Sequence, residues 1–314
     1  MTAAGPAAAR ELARVWDAGR PVDLRATLGP LRRGPGDPTV RVDGAALWRT
    51  ARTPEGVATQ RLAICPGTAG RRVQSLAWGP GAGWLLDTLP DLLGAQDDPT
   101  GFRPQHPAIV EGWRRSAGWR VPRTHLVLEA LVPAVLEQKV TGREAWASWR
   151  RLVTAYGTPA PGPAPAEMAV FPEPQAWATV PSWAWHRAGV GPERSATIVA
   201  AAGRAVAIER TDQVGLAEVD RRLRSLPGVG AWTSAEVRQR AHGDPDAVSV
   251  GDFHLASMVV YTLTGQRGGD DAAMLSLLAP YAGHRYRAVR MLEVAGAALP
   301  RRGPRYSPLD HRRR

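Results

Sequence analysis

Apolar and polar positions change their period once along the 314 residues. Between Val22 and about Trp78 they alternate, as in TVRVDGAALWRTAR and GVATQRLAIC, with Gly/Pro/Asp turns breaking the runs. Alternation puts successive side chains on opposite faces of a strand, so this part predicts a small antiparallel sheet with one wet face. After Gly79-Pro80-Gly81, GWLLDTLPDLLG predicts a short helical segment, and the turn-rich residues 95–107 mark a boundary. Beyond it the spacing is helical: Leu126, Val127, Ala130, Leu131, Ala134 and Val135 recur at three and four residues, then Trp146, Trp149, Leu152 and Val153. The proline-rich residues 160–165 predict a linker or exposed loop. Helical patterns resume at 193–208, 216–226, 231–241, 253–263 and 286–299. The expected class is α+β, with residues 1–106 a small antiparallel β domain and 107–314 an all-α domain ending in the basic tail RRGPRYSPLDHRRR. That tail reads either as a frayed, solvated end or as an electrostatic grip on nucleic acid.

Charge narrows the partners. The chain carries 40 Lys+Arg against 29 Asp+Glu, a net +11, and Lys139 is the only lysine among the cations. Arginine forks suit phosphate, and the summed field attracts polyanions. One cysteine, Cys65, excludes an intramolecular disulfide framework, a zinc ribbon and a four-cysteine iron–sulfur cluster. The amino terminus lacks a secretory pattern, and the longest mostly apolar run, residues 126–136, is too short to span a bilayer. A cytoplasmic protein with no membrane contact is expected.

The sharpest chemistry lies in LAEVDRRLRSLPGVGAWTSAEVRQRAHGDPDAVSVGDFHL. One helical pattern runs into Leu226-Pro227-Gly228-Val229-Gly230 and another begins near Ala231. The glycines allow positive φ and close approach to another surface. The turn amides and those opening the second helix make an anion-binding end, to which Thr233 would add a hydroxyl. The carbonyls of Leu226 and Val229 would hold a monovalent cation, sodium or potassium. A plain helix–helix turn also fits the string. Asp252 follows Trp232 by twenty positions and opens the apolar run FHLASMVVYTL. It is either an N-cap accepting from first-turn amides or a reactive carboxylate. His186, His242, His254 and His284 show no metal-ligand spacing.

Hairpin and aspartate at this separation resemble the helix-hairpin-helix superfamily of DNA glycosylases. There the hairpin clamps the DNA backbone and the aspartate faces the sugar of a flipped-out nucleotide. The resemblance implies a helix-hairpin-helix glycosylase domain behind an accessory β domain, with Asp252 as the catalytic group. Bifunctional members carry a Schiff-base lysine two positions after the second hairpin glycine. Trp232 stands there, as in the bacterial 3-methyladenine (alkylated-base) branch, and Lys139 falls elsewhere in the sequence. The resemblance therefore implies a monomeric, monofunctional enzyme of base excision repair, nucleoid-associated, acting on double-stranded DNA with damaged bases. It would excise N3- or N7-methylated purines and leave an abasic site.

LEALVPAVLEQKVTGREAWASWRRLVTAYG is similar to the helix–loop–helix carrying the family's wedge, which places Gln138 and Lys139 there. A lysine departs from the Leu or Gln expected; its alkyl stem fills the gap or it is an exposed loop residue. Trp232, Glu236, Trp185 and Tyr281 are the candidate base pocket, with Trp183 and Tyr286 further candidate walls; each aromatic also fits a core role. Glu236 replaces an aromatic of the family's best-known member, serving as a charge partner for a cationic base or facing solvent. Leu292 replaces a stacking tryptophan. These two departures motivate an alternative, a non-catalytic or altered-specificity DNA-binding protein of the same fold.

Overall fold

The computed structural model describes residues 10–116 and 118–297, so the basic tail lies outside the described residues. The first strand, β1 (Glu11–Asp17), precedes the alternating stretch, and β2 (Val40–Asp43), β3 (Ala46–Thr53), β4 (Gly56–Ile64) and β5 (Arg72–Trp78) follow. All pair antiparallel in the order β1-β5-β4-β3-β2. Between β1 and β2 the chain is helical, not extended, in α1 (Leu24–Leu28). Asp23 caps it, its Oδ1 accepting from the amides of Arg25 and Ala26 at 2.9 Å.

The expected wet face is covered. Leu47, Leu62 and Val73 pack with Leu24, Leu28, Leu89 and Leu92 on one side, the last two in the short helix α3 (Leu89–Leu92), which follows α2 (Ala82–Asp87). On the other side Trp48 and Trp78 stack 5.6 Å apart against Met168. The cover is a two-stranded hairpin, β6 (Thr158–Pro159) and β7 (Ala169–Val170), whose loop contains the proline-rich residues 160–165. Thr50 Oγ1 donates to the Ala169 carbonyl at 2.7 Å, and Ala160 and Ala164 pack on the Trp48–Trp78–Met168 cluster, so the segment read as linker or exposed loop rests on the sheet with Gly162 and Pro163 exposed. With both faces covered, β3 is buried along almost its whole length although Arg49, Thr50, Arg52 and Thr53 are polar.

The helical part has two cores. The first gathers α5 (Val127–Leu136), α6 (Gly142–Tyr156), α7 (Pro174–Ala178), α8 (Ser182–Ala188), α9 (Pro192–Ala202), α10 (Ala205–Glu209), α11 (Leu216–Arg224) and α12 (Ala231–Val237). The second joins α4 (Pro107–Arg115) to α13 (Leu255–Thr264), α14 (Asp271–Leu278) and α15 (Arg285–Val294). A helix from early in the chain thus packs on the last one. The contact is close: a Cβ at Gly112 would lie 2.0 Å from the Met291 carbonyl oxygen. Among the described residues no helix is long and apolar enough to cross a membrane.

Polar contacts lock the sheet to the first helical core. Arg33 pairs with Glu137 at 3.1 Å, and Trp149 Nε1 donates to Asp37 Oδ1 at 2.9 Å. Glu129, on α5, accepts from the Arg52 amide of β3 at 2.6 Å. Burial pushes the Glu129 carboxyl up to about 7, against the opposing pull of the Arg52 amide and the Arg49 guanidinium. The folded protein therefore keeps a proton that the unfolded chain releases near pH 4.5, and stability falls as pH rises from there to about 7. Glu129→Gln keeps the acceptor and should remove that slope, worth up to roughly 3 kcal/mol, in urea unfolding series across the window. An unchanged slope would place the titration elsewhere.

Candidate active site

The hairpin follows from its local chemistry. Helix α11 ends at Ser225, the Leu226 carbonyl accepts from the Val229 amide at 3.1 Å, and Gly228 takes φ +82°. A Cβ there would also fall 2.0 Å from Thr197 Oγ1, so both backbone and space demand glycine. Gly230 differs: its φ is −94°, and nothing lies within 4 Å of where a Cβ would stand. Only one of the two glycines uses the left-handed region. The other leaves the surface bare ahead of α12, whose first amides have no intrahelical acceptor.

The loop between α5 and α6 leans on this hairpin. Gln138 Nε2 donates to the Gly228 carbonyl at 2.9 Å and to Thr233 Oγ1 at 2.8 Å. Two expectations change. Thr233 is buried at 2% exposure and cannot offer its hydroxyl to a ligand outside. Gln138 is a latch whose amide is occupied, and only Lys139 projects. Lys139 is exposed with φ +55°, and a capping box of Thr141 and Glu144 starts α6 two residues later. Far apart in sequence, the only lysine and the hairpin share one edge of the molecule.

Helix α12 connects hairpin to aspartate. In its first turn, Trp232 is half-buried against the first core, and its indole Nε1 donates to Asp252 Oδ2 at 3.1 Å. The N-cap of α13 is His254, not Asp252, but Asp252 Oδ1 accepts from the amides of His254 and Leu255 at 2.8 and 2.9 Å and so fastens the start of α13 from two residues ahead of the cap. One carboxylate thus fastens a helix of the second core and holds an indole of the first. Further along α12, Glu236 Oε1 accepts from Ser249 Oγ at 2.5 Å, and Gln239 donates to Ser249 Oγ and the Ala247 carbonyl. These bonds fix the loop that delivers Asp252, which is half-buried and has no ion-pair partner among the described residues.

The other pocket candidates do not converge on Asp252. Glu236 neither faces solvent nor offers a free charge, because Arg240 sits 2.8 Å from its Oε2. Trp185 is buried and stacks on Trp177 at 5.9 Å within the first core. Tyr281 is buried in the second core, its hydroxyl engaged by His106 and the Gln105 amide; Tyr286 and Leu292 are buried there too. Trp183 is exposed on α8. Sequence reading missed Phe253, counted as the first apolar position of a helix that starts only at Leu255. Phe253 is 90% exposed beside Asp252, edge-on to His254. Its position directly after the aspartate was the available signal. Among the described residues no cluster of His, Cys, Asp and Glu could hold a metal ion. The Leu226 carbonyl, with one lone pair in the turn and one left, fits a monovalent cation as ligand.

No protein-family model matches the sequence. A curated relative from Mycobacterium tuberculosis, "Probable bifunctional transcriptional activator/DNA repair enzyme AlkA", is 34% identical over 143 residues. The match takes in 45% of this chain and only 28% of that protein. Among solved structures, a 3-methyladenine DNA glycosylase from Archaeoglobus fulgidus superposes with TM-score 0.72 at 15% identity, over 90% of this chain and 98% of that one. The 8-oxoguanine glycosylase/lyase of Clostridium acetobutylicum gives TM-score 0.68 at 10% identity, over 92% and 99%. The chain has the fold of the helix-hairpin-helix DNA glycosylases.

The two hairpin glycines should respond differently to substitution. Gly228→Ala is expected to destabilise by about 2–4 kcal/mol, from the left-handed backbone and the Thr197 overlap. Gly230→Ala should change stability by less than about 1 kcal/mol, since its backbone and space accept a methyl. Denaturant midpoints test this; equal losses would contradict the assigned geometry.

Proposed function

We propose that this chain is a monofunctional DNA glycosylase of base excision repair that flips out and excises alkylated purines, N3- or N7-methylated, leaving an abasic site. The observation that carries the reading is Asp252: half-buried, without an arginine partner among the described residues, and held by two amides and by the indole of Trp232, two residues after the bare Gly230. Duplex DNA would be held by amides at Gly230 and the start of α12, positioning without base readout. Rotating the nucleotide out costs a few kcal/mol, less for a damaged base. Lys139 would stand over the vacated stack as the wedge.

Breaking the N-glycosidic bond leaves positive charge on the deoxyribose. The Asp252 carboxylate stabilises it, and with a lone pair left on Oδ2 it orients the attacking water. Alkylation at N3 or N7 makes the purine a cationic leaving group, so no general acid is required. Phe253 and Trp232 supply aromatic faces for such a base. A monovalent cation on the Leu226 and Val229 carbonyls would strengthen the grip on phosphate. A nucleoid-associated monomer needing no other cofactor completes the reading. An abasic product is read by alkali: duplexes carrying 3-methyladenine or 7-methylguanine should break only after treatment, and duplexes carrying the neutral lesions hypoxanthine or ethenoadenine report how far the specificity extends. Asp252→Asn should lose at least about a hundredfold in excision rate with DNA affinity within a few fold. Gly230→Ala should do the reverse, and binding should weaken steeply with salt. Near wild-type excision by Asp252→Asn would refute the assignment. Breaks on no lesion would support the alternative, a non-catalytic binder.

The position of Lys139 beside the hairpin favours a second reading, a glycosylase/lyase. Its amine would condense with the abasic aldehyde, expelling water, and loss of a C2′ proton would then release the 3′ phosphate. Borohydride with preformed abasic DNA separates the two. A trapped adduct lost in Lys139→Met supports the lyase, and no adduct supports the monofunctional enzyme.

A further inference from the structure

Away from Asp252, helices α6 and α8 enclose a cleft of about 540 Å³. Its floor is alkyl, with Leu152, Ala184 and Ala188, and Ser148 Oγ donates to the Ala188 carbonyl at 2.7 Å to pin the two helices at its base. Its walls carry Arg150, Arg151 and Arg187, with no carboxylate among the lining residues. Over it stands Trp183, 63% exposed. Arg150 is held in place by the Pro35 carbonyl at 3.0 Å, leaving guanidinium donors for a ligand. An indole left in water beside an apolar floor and a cationic rim is the composition of a binding hot spot.

The cleft is separate from the edge that would meet a duplex. Helix α6 starts next to the Gln138–Lys139 loop, and the residues lining the cleft begin at Arg150, about 12 Å further along its axis, and reach Tyr156 at about 21 Å. The cationic rim favours an acidic occupant over a second copy of this +11 chain. Nucleic acid would satisfy the arginines but offers the floor nothing larger than a thymine methyl, and only Thr154 and Tyr156 offer side-chain hydroxyls to base edges.

We propose that this cleft docks an acidic peptide segment of a partner protein, one apolar side chain seated under Trp183 and flanking carboxylates on Arg150 and Arg187. The peptide lends binding and no chemistry, so the cleft serves recruitment independently of excision.

The test is fluorescence anisotropy at about 0.15 M salt, where surface attraction is screened beyond about 8 Å. The probes are a fluorescein-labelled Asp-Asp-Glu-Asp-Leu-Phe-Asp-Asp-Glu peptide, the same peptide with Ser-Ser for Leu-Phe, and a ten-nucleotide oligothymidylate. The full-length protein should bind the first peptide at least tenfold more tightly than the second. Trp183→Ser and Arg187→Glu should each weaken that binding about tenfold, leaving duplex affinity and melting temperature unchanged. Equal binding of the two peptides, or binding indifferent to both variants, would reduce the effect to the overall charge and overturn the proposal. Oligothymidylate binding that depends on Trp183 while the peptide does not bind would overturn it in favour of single-stranded nucleic acid.

Discussion

The hydrogen bond between the Trp232 indole and the Asp252 carboxylate joins the two helical cores at the point where function is expected. A charged acceptor makes such a bond stronger than a neutral one. Its geometry is set from both sides, by the first turn of α12 and by the first-turn amides of α13. The helix-fastening and reactive readings of Asp252 are therefore not rivals. Fastening α13 uses Oδ1, the indole uses one side of Oδ2, and what remains of Oδ2 is free.

Around that bond the molecule is braced at several depths. Gln138 latches the α5–α6 loop to the hairpin, and Glu236 with Gln239 ties the aspartate loop back to α12. Arg33, Asp37 and Glu129 fasten the sheet behind α5 and α6. Buried polar groups of this kind are costly when left unpaired, and Arg33 Nε is buried without a hydrogen-bond partner, so this network is not fully satisfied. The sheet thus acts as a buttress for α5 and α6, whose connecting loop leans on the hairpin, and the exposed residues Lys139, Gly230 and Phe253 are the parts left bare.

Much of this was legible in the sequence where one residue type answers one local demand. The change of period separated strands from helices, LPGVG marked the hairpin, and Asp252 stood before an apolar helix. What failed depended on long-range packing. Leu24–Leu28 alternates poorly either way, and Asp23 decides for helix. The dry second face of the sheet comes from residues 158–170, which begin 80 positions after the last of the five strands. Trp185, Tyr281 and Leu292 are large apolar groups whose burial cannot be told from pocket lining by spacing alone. Glu236 looked like a free charge because Arg240, one helical turn on, was not recognised as its partner. Lys139 was read as a wedge residue or an exposed loop lysine, and it is exposed in the loop that Gln138 ties to the hairpin.

The central claim is electrostatic: the Asp252 carboxylate lies where positive charge grows on a flipped deoxyribose. It is tested most directly by comparing the affinity of two abasic duplexes, one with a cationic 1-aza-sugar and one with a neutral tetrahydrofuran at the same position. The account predicts that the wild-type protein binds the cationic duplex at least tenfold more tightly, and that Asp252→Asn abolishes the difference while still binding the neutral one. Equal affinities in the wild type, or a preference that survives the substitution, would contradict it.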